Sequence, residues 1–368
     1  MPSKSDTSTL LNAMRSSIMA LKEWPRRASI ADFRSFSAAL ASDAATGHDP
    51  FMARLRLATF NLENLDWSPG RLDWFERRVT ALAPLLDRLD ADILCLQEVA
   101  ARKTHRQGPR EPIGLARLLA RTRYGDFHQI VSRRPGRSTP ADVHNLAILS
   151  RWPMPVAEQV HHDLVAPWNW PPPADNGVEP PPIPIAWDRP LLHASIETPT
   201  GALLHVVNLH LRAPRPVAAP SARGPGSSRS LVEGQFVAAM KRDGQALEAR
   251  LCVERLFDDD PDAMIAVCGD FNADEHDAPT RLLCAGAPET RTGPRALAPL
   301  EERVSAERRH TVIHAGRRAL IDHILASPSL TARWRETQIF NDGLEDEVES
   351  RDPVAGSLHA PVVARFEL

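Results

Sequence analysis

The chain has 368 residues, 43% hydrophobic and 25% charged, a composition that suits one large or two medium folded domains and excludes wholesale disorder. Its formal net charge of -3 gives no global basic field to draw it to nucleic acid. No apolar run approaches the ~18 residues that would suggest a membrane span, and Met1 to Trp24 lacks the apolar centre and cleavage site of a secretory signal. A cytoplasmic protein without integral membrane association is therefore expected, and no protein partner is evident. Cys95, Cys252, Cys268 and Cys284 show no CxxC spacing and read as buried free thiols. The 40 Arg against 4 Lys are spread along the whole chain, which reads as a coding bias rather than a phosphate-binding surface.

Residues 1–51 are rich in Ser and Ala and weakly periodic, and read as a loose extension or an over-long gene model, rather than a regulatory or targeting arm, before a domain spanning 52–368. A strand is predicted at Arg54 to Phe60. Phe75, Val79, Leu82, Leu86 and Leu89 recur at helical spacing and predict a helix over 71–90. Strands follow at 92–97, 145–150, 191–197 and 203–211, with a short helix around Leu115, Leu118 and Leu119. Ser230 with Glu233 has the spacing of a capping box and predicts the start of a long helix with Phe236, Met240, Leu247 and Leu251 on its apolar face. Gly244 inside that helix carries a penalty of about 1 kcal/mol. Further strands are predicted at 263–269, 319–327, 333–340 and 361–368. Two segments break the alternation: 166–190, with nine prolines and three tryptophans, and 212–229, rich in Pro, Ala, Ser, Gly and Arg. Both are too proline-rich for sheet interiors and read as long surface insertions. Many strands with interspersed helices predict an α/β (α+β) chain with buried sheets.

Six polar strings close or follow apolar strands: "TFNLEN" (59–64), "CLQEV" (95–99), "VVNLHL" (206–211), "CGDFNADE" (268–275), "LIDHIL" (320–325) and "SLHAPVV" (357–363). A polar residue delivered at the end of an apolar strand sits at a sheet edge, where sites collect. Taken singly, Glu98 is an ordinary solvated carboxylate and Asn61 an ordinary turn residue; six such strings together are not explained by solubility. Glu98, Asp270, Asp322, Asn61 and Asn272 offer oxygen donors suited to Mg²⁺ or Mn²⁺ rather than zinc. His210 and His359 can donate to phosphate oxygens or move protons near neutral pH.

In this order, "FN", "QEV", "AILSR", "NLHL", "GDFN", "IDHI" and "HAPV" make the chain similar to the endonuclease/exonuclease/phosphatase superfamily, from Phe60 to Val363. The resemblance implies a deoxyribonuclease-I-like four-layer sandwich, with two face-to-face β-sheets flanked by helices. It also implies Mg²⁺- or Mn²⁺-dependent phosphodiester hydrolysis, nuclease-like, on a phosphoester with DNA and RNA among the candidates. Glu98 matches the principal metal carboxylate and Asn61 the asparagine beside that metal. His210 matches the histidine of the phosphate site, Asp270 the aspartate that orients or deprotonates the attacking water, and Asn272 the phosphate-binding asparagine. His359 matches the second histidine and Asp322 the carboxylate that orients it. Asn208 shares a strand face with His210 and is expected to contact phosphate.

One departure stands out: the aspartate usual before the last histidine is Leu358. This puts a second metal position in doubt and gives a non-catalytic binding module its only support. The acidic run 342–352 is a candidate substitute, though a solvated loop explains it as well. Residues 101–138 carry ten Lys/Arg against Glu111 and Asp126, either a patch for a phosphate backbone or an Arg-rich surface loop. The shared motifs do not separate a nuclease from a phosphatase or phosphodiesterase acting on a small, inositol or lipid phosphoester.

Overall fold

Two six-stranded mixed sheets carry the architecture. The computed structural model describes residues 54–170, 181–217, 228–286, 293–350 and 353–368. The predicted extension 1–51 lies outside these residues, as do 171–180 and 218–227 of the two predicted insertions.

The first half of the chain forms β1 (Arg54–Leu65), α1 (Leu72–Leu89), β2 (Ile93–Val99), α2 (Ile113–Leu119), β3 (His128–Val131) and β4 (Asn145–Ser150). Then come β5 (Val156–Val160), the paired short strands β6 (Trp168–Trp170) and β7 (Ile183–Ile185), β8 (Leu191–Glu197) and β9 (Leu203–His210). The long helix α3 (Ser228–Asp259) leads to β10 (Met264–Asp270), α4 (Ala278–Cys284) and β11 (Ala298–Pro299). A small hairpin, β12 (Val312–His314) and β13 (Arg317–Ala319), precedes β14 (Asp322–Ala326), β15 (Trp334–Ile339) and β16 (Val362–Glu367). The first sheet has the order β15-β16-β1-β2-β4-β3 and the second β11-β14-β10-β9-β8-β5.

Each sheet is built around one parallel pair, β1 with β2 and β9 with β10. Parallel neighbours need a crossover, and α1 and α3 supply it. Period-two alternation then sorts side chains between two faces. Leu55, Leu57, Ile93, Cys95, Leu204, Val206, Ala266 and Cys268 fill the space between the sheets. Ala58, Phe60, Leu94 and Leu96 turn outward onto Phe75, Val79, Leu82 and Leu86 of α1 and the leucines of α2. Val207, Leu209, Ile265 and Val267 do the same against Ala246, Ala249, Val253, Leu256 and Phe257 of α3. Helix, sheet, sheet and helix therefore make the four expected layers. All four cysteines are free and buried.

Three local expectations are corrected. Ser230 lies within α3, which is already helical at Ser228, and Glu233 receives a hydrogen bond from Arg229 Nε at 2.8 Å, so the pair does not cap the helix. The predicted apolar face of α3 is not its sheet face: Phe236 is 56% exposed, while Met240, Leu247 and Leu251 pack under Trp168, Trp170 and Trp187. A helix covered on two sides has apolar residues on two stripes, and single-face periodicity picks only one of them. The predicted strand 319–327 is broken, because Thr311 Oγ1 accepts both the Ile321 and Asp322 N–H groups (3.1 and 3.2 Å) where the chain leaves the β12–β13 hairpin for the main sheet. The half-exposed strands β3 and β5, each at a sheet edge, carry too weak an alternation to be read from sequence.

Candidate active site

The parallel pairs place their carboxyl ends together. Asn61 is near the end of β1, Glu98 near the end of β2, His210 at the end of β9 and Asp270 at the end of β10. Asp322 opens β14 in register with Asp270, and His359 lies just before β16. The two sheets thus each contribute half of one polar cluster.

Backbone irregularity aims these side chains. Leu94 and Leu96 face α1, so regular alternation would send Glu98 the same way. Instead the β1–β2 and β2–β4 registers shift here, and Glu98 takes φ +58°. Glu63, Asn64, His144 and Asn272 also have positive φ. Such conformations cost about 1–3 kcal/mol each and persist where surrounding structure enforces them. At Gly269, φ is +139°, and a Cβ would lie 1.9 Å from Leu209 O. Only glycine lets β10 approach β9 closely enough to set Asp270 beside His210.

Asp270 is almost fully enclosed. Its Oδ2 accepts Asn61 Nδ2 at 2.9 Å and lies 3.2 Å from His210 Nε2, while Oδ1 accepts the Asn272 N–H at 2.8 Å. Burial alone would push this carboxyl up; the charge and hydrogen bond of His210, with His359 and the Asn272 amide, outweigh it and hold it well below the usual range. Glu98 behaves alike: burial opposes ionisation, but neighbouring His144 and the charges of His210 and Arg189 bring it down to about 2. His210 is lowered by burial and by Arg189, against the pull of Asp270. His359 Nδ1 lies 2.9 Å from Asp322 Oδ2. Burial disfavours its charge, but Asp322, then Asp270 and Glu98, raise it to about 10.

Asn272 lines the cavity; one amide hydrogen is given to Leu211 O at 3.1 Å, leaving the other for a ligand. The structure thus brings Glu98, His210, Asp270, Asn272 and His359 onto one cavity of about 610 Å³, with Asn61 and Asp322 hydrogen-bonded behind them.

Asn208 is the exception. It shares a face with His210, but that face is the sealed space between the sheets. Its Nδ2 donates to Leu96 O (3.1 Å) and Ala147 O (2.9 Å), and its Oδ1 accepts Gln97 Nε2 at 2.7 Å. A fully buried amide committed in this way ties the sheets together and does not reach a phosphate.

Asn61, expected beside the metal, has its side-chain oxygen partly engaged. Its Oδ1 accepts the Glu63 N–H at 2.8 Å, which turns Nδ2 toward Glu98 (3.4 Å) and Asp270 (2.9 Å). An N–H can bond only to the oxygen, so the amide presents nitrogen to the carboxylates and positions them. The side chains of Asp270, Asp322 and His359 offer donor atoms within 4.8 Å of one another. Within this trio His359 Nδ1 lies 2.9 Å from Asp322 Oδ2, so a cation here would compete with that pair. The all-oxygen character of Glu98, with Glu63 nearby and Asp270 behind, fits a hard divalent cation.

Several residues at this candidate site escape the sequence reading. Glu63, two residues after Asn61, accepts the Leu358 N–H at 2.9 Å, so the carboxylate beside Leu358 comes from β1. The acidic run contributes otherwise: Asp346 accepts the Gly316 and Val348 N–H groups (2.6 and 2.8 Å), and Glu347, on the cavity wall, pairs with His314 at 2.8 Å. His144 Nδ1 lies 3.7 Å from Glu98 Oε2. Arg78 donates to Leu62, Glu63, Ala355 and Gly356 carbonyls, joining the end of β1 to the loop that carries His359. Its signal was available: a lone arginine on the apolar stripe of α1. Arg189, Arg212 and Arg215 line the cavity from the two insertions.

Comparison with known proteins agrees with this fold. A mannosyl-6-phosphatase, Bt3783, from Bacteroides thetaiotaomicron superposes with a TM-score of 0.53 at 16% identity, over 84% of this chain and 98% of that one. An endonuclease/exonuclease/phosphatase family protein from the same organism gives 0.52 at 17%, over 85% and 95%. TDP2 from Caenorhabditis elegans gives 0.50 at 15%, over 92% and 82%. At such identities the likeness establishes the shared deoxyribonuclease-I-like fold. No curated protein matches the sequence. Among the described residues, no helix is long and apolar enough to cross a membrane. The family model for the Endonuclease/Exonuclease/phosphatase family matches residues 58–353, a span holding every polar strand end from Asn61 to Asp322, and the chain belongs to that family, whose members are generally phosphoester hydrolases.

Proposed function

We propose that this protein hydrolyses a phosphoester with the help of a divalent cation, Mg²⁺ or Mn²⁺. The observation that carries the reading is the junction of the sheets: Asn61 Nδ2 to Asp270 Oδ2 at 2.9 Å, with His210 Nε2 at 3.2 Å from the same oxygen. Family members usually use divalent metals, and here Glu98, with Glu63 nearby, would hold the ion. When bound, it would neutralise charge on the phosphoryl group. Asp270, rigidly held and anionic, orients a water for attack. The new bond is water oxygen to phosphorus, and the bond to the leaving oxygen breaks on the opposite side. The water's proton passes to the Asp270–His210 pair. His359, steadied by Asp322, and the second Asn272 amide hydrogen steady the phosphoryl oxygens.

The cavity favours a compact phosphoester. Arg102 of the basic segment is engaged by Asp66, Arg110 by Asp142, Arg121 by Glu76 and Arg123 by Asp90, so much of its charge is compensated locally. The nuclease-like reading still rests on the remaining Lys/Arg of 101–138. A substrate panel with and without Mg²⁺ or Mn²⁺ tests both: p-nitrophenyl phosphate, bis(p-nitrophenyl) phosphate, duplex and single-stranded DNA, RNA and phospholipid. Cation-dependent turnover of at least one is expected; turnover of none with either metal overturns the proposal. If DNA is the substrate, neutralising Arg102, Lys103, Arg106 and Arg110 makes the salt dependence of binding shallower, by about 0.9 per lost duplex contact.

A further inference from the structure

The Pro/Trp insertion ends in Trp187, Asp188 and Arg189, and each is seated on one stretch of α3. Trp187 fills the notch over Gly244, where a Cβ would lie 2.2 Å from its ring. The same ring stacks on His162 at 4.0 Å and meets Trp168 edge-on at 5.6 Å. Asp188 pairs with Lys241 (2.8 Å) and Arg212 (3.1 Å). Gln245 donates to Arg189 O at 3.3 Å and accepts the Arg212 N–H at 2.9 Å. Buried Glu248 accepts the N–H groups of His162, Asp163 and Leu164, fixing the segment that leads into the insertion. Lys241, Gly244, Gln245 and Glu248 follow helical spacing, so one face of α3 is a cradle for the insertion.

What the cradle presents is Arg189. Its Nη1 donates to Leu211 O (3.1 Å) and His210 O (3.4 Å), which fixes the guanidinium on the cavity wall. Its Nε and Nη2 have no hydrogen-bond partner among the described residues. A guanidinium held by one nitrogen, with a fork of donors left over beside Glu98, Asp270 and His359, is matched to an oxyanion. Arg212 is partly neutralised by Asp188 and Arg215 is exposed, so of the three arginines on the cavity Arg189 is the one held in place.

From this geometry we infer that Arg189 is a catalytic residue that contacts the phosphoryl group and directs the site toward the dianion of a phosphomonoester. The inference rests on the proposed phosphoester hydrolysis and narrows it. A monoester dianion carries one more charge and one more non-bridging oxygen than a diester, and a fixed fork of donors rewards both. A diester must place a second substituent where the fork meets oxygen.

Two measurements test this. In metal-free buffer, titration calorimetry compares inorganic phosphate with dimethyl phosphate on the full chain. Phosphate is expected to bind at least about tenfold more tightly, with Arg189→Ala removing that preference and Arg189→Lys keeping part of it. With Mg²⁺, kcat/KM is compared for p-nitrophenyl phosphate and bis(p-nitrophenyl) phosphate. Arg189→Ala is expected to lose about 10²–10³ on the monoester, the usual effect of removing one transition-state donor, and less on the diester, so that the ratio falls about tenfold or more. Circular dichroism confirms folding of each variant, and Arg189→Lys serves if Arg189→Ala does not fold. Equal affinity for the two anions, or a phosphate preference and a rate ratio unmoved by the substitution, overturns the inference. Absence of turnover of either substrate by the native protein overturns the proposed function instead, and calorimetry still decides the role of Arg189.

Discussion

Three donors converge on Asp270, from Asn61, His210 and Asn272. Asp270→Asn keeps the shape but loses the charge, and His210→Ala removes its close partner. Each is expected to lower kcat by about 10²–10⁴ with the circular dichroism spectrum retained. The double variant is expected to lose little more than the worse single one, because both act on one transition state. Asn208→Ala belongs to a different class. It leaves Gln97 and two buried carbonyls short of a partner, at about 1–3 kcal/mol for such a group. A lower Tm is expected with KM unchanged; a raised KM at unchanged Tm would return Asn208 to phosphate binding.

The His359–Asp322 pair makes a pH prediction. The imidazole sits at about 10 in the folded protein against 6.5 ordinarily, so folding favours its charged form. Its contribution to stability is complete below about pH 6.5 and disappears as pH rises through about 10. Urea unfolding is therefore expected to show stability falling across that window. A double variant, His359→Gln with Asp322→Asn, flattens the fall. An identical slope in both proteins would show that the pair is not charged in the folded state.

At the scale of elements, α3 departs furthest from its sequence appearance. Gly244, a helix-weakening residue by propensity, is the notch that admits Trp187. Gly244→Ala gains intrinsic helix propensity but drives a methyl group into the indole. A net destabilisation is expected, accompanied by weaker phosphate binding because Arg189 shifts with its neighbour. A stabilised Gly244→Ala protein would mean that the insertion yields without cost. The candidate site's strand ends were legible because Asn61, Glu98, His210 and Asp270 each end or closely follow an apolar run. Arg189 was not, since it lies in a proline-rich stretch whose position is set by contacts with α3, over 50 residues later in the chain. Glu63 and His144 were hidden for another reason: their direction depends on positive-φ backbone, which regular alternation does not forecast.

For the whole molecule, the alternation of apolar strands and helices gave an α/β class and the layer order came with the family resemblance, while edge strands and insertions depended on packing that periodicity does not encode. Met52–Leu368 forms its own compact unit, so a chain beginning at Met52 is expected to fold and to keep its activity. Insoluble or inactive product would make residues 1–51 part of the working domain. Chelation supplies a second test. EDTA is expected to abolish turnover, Mg²⁺ or Mn²⁺ to restore it, and the cation to raise Tm by binding the folded state alone. Full activity after exhaustive chelation would refute the cation requirement.

The division of the proposed catalytic set between two sheets would turn the protein into its own alignment gauge. Asn61 and Glu98 travel with one slab, His210 and Asp270 with the other, and side-chain packing with a few buried amides helps keep the slabs in step. Catalysis tolerates misplacement of about 1 Å only at a cost near 10²-fold, far less than the slippage needed to lose secondary structure. Under rising urea, activity is thus expected to fade at a lower concentration than the circular dichroism signal. Enlarging Cys95 or Cys268, remote from any substrate, should widen that gap before it lowers the unfolding midpoint.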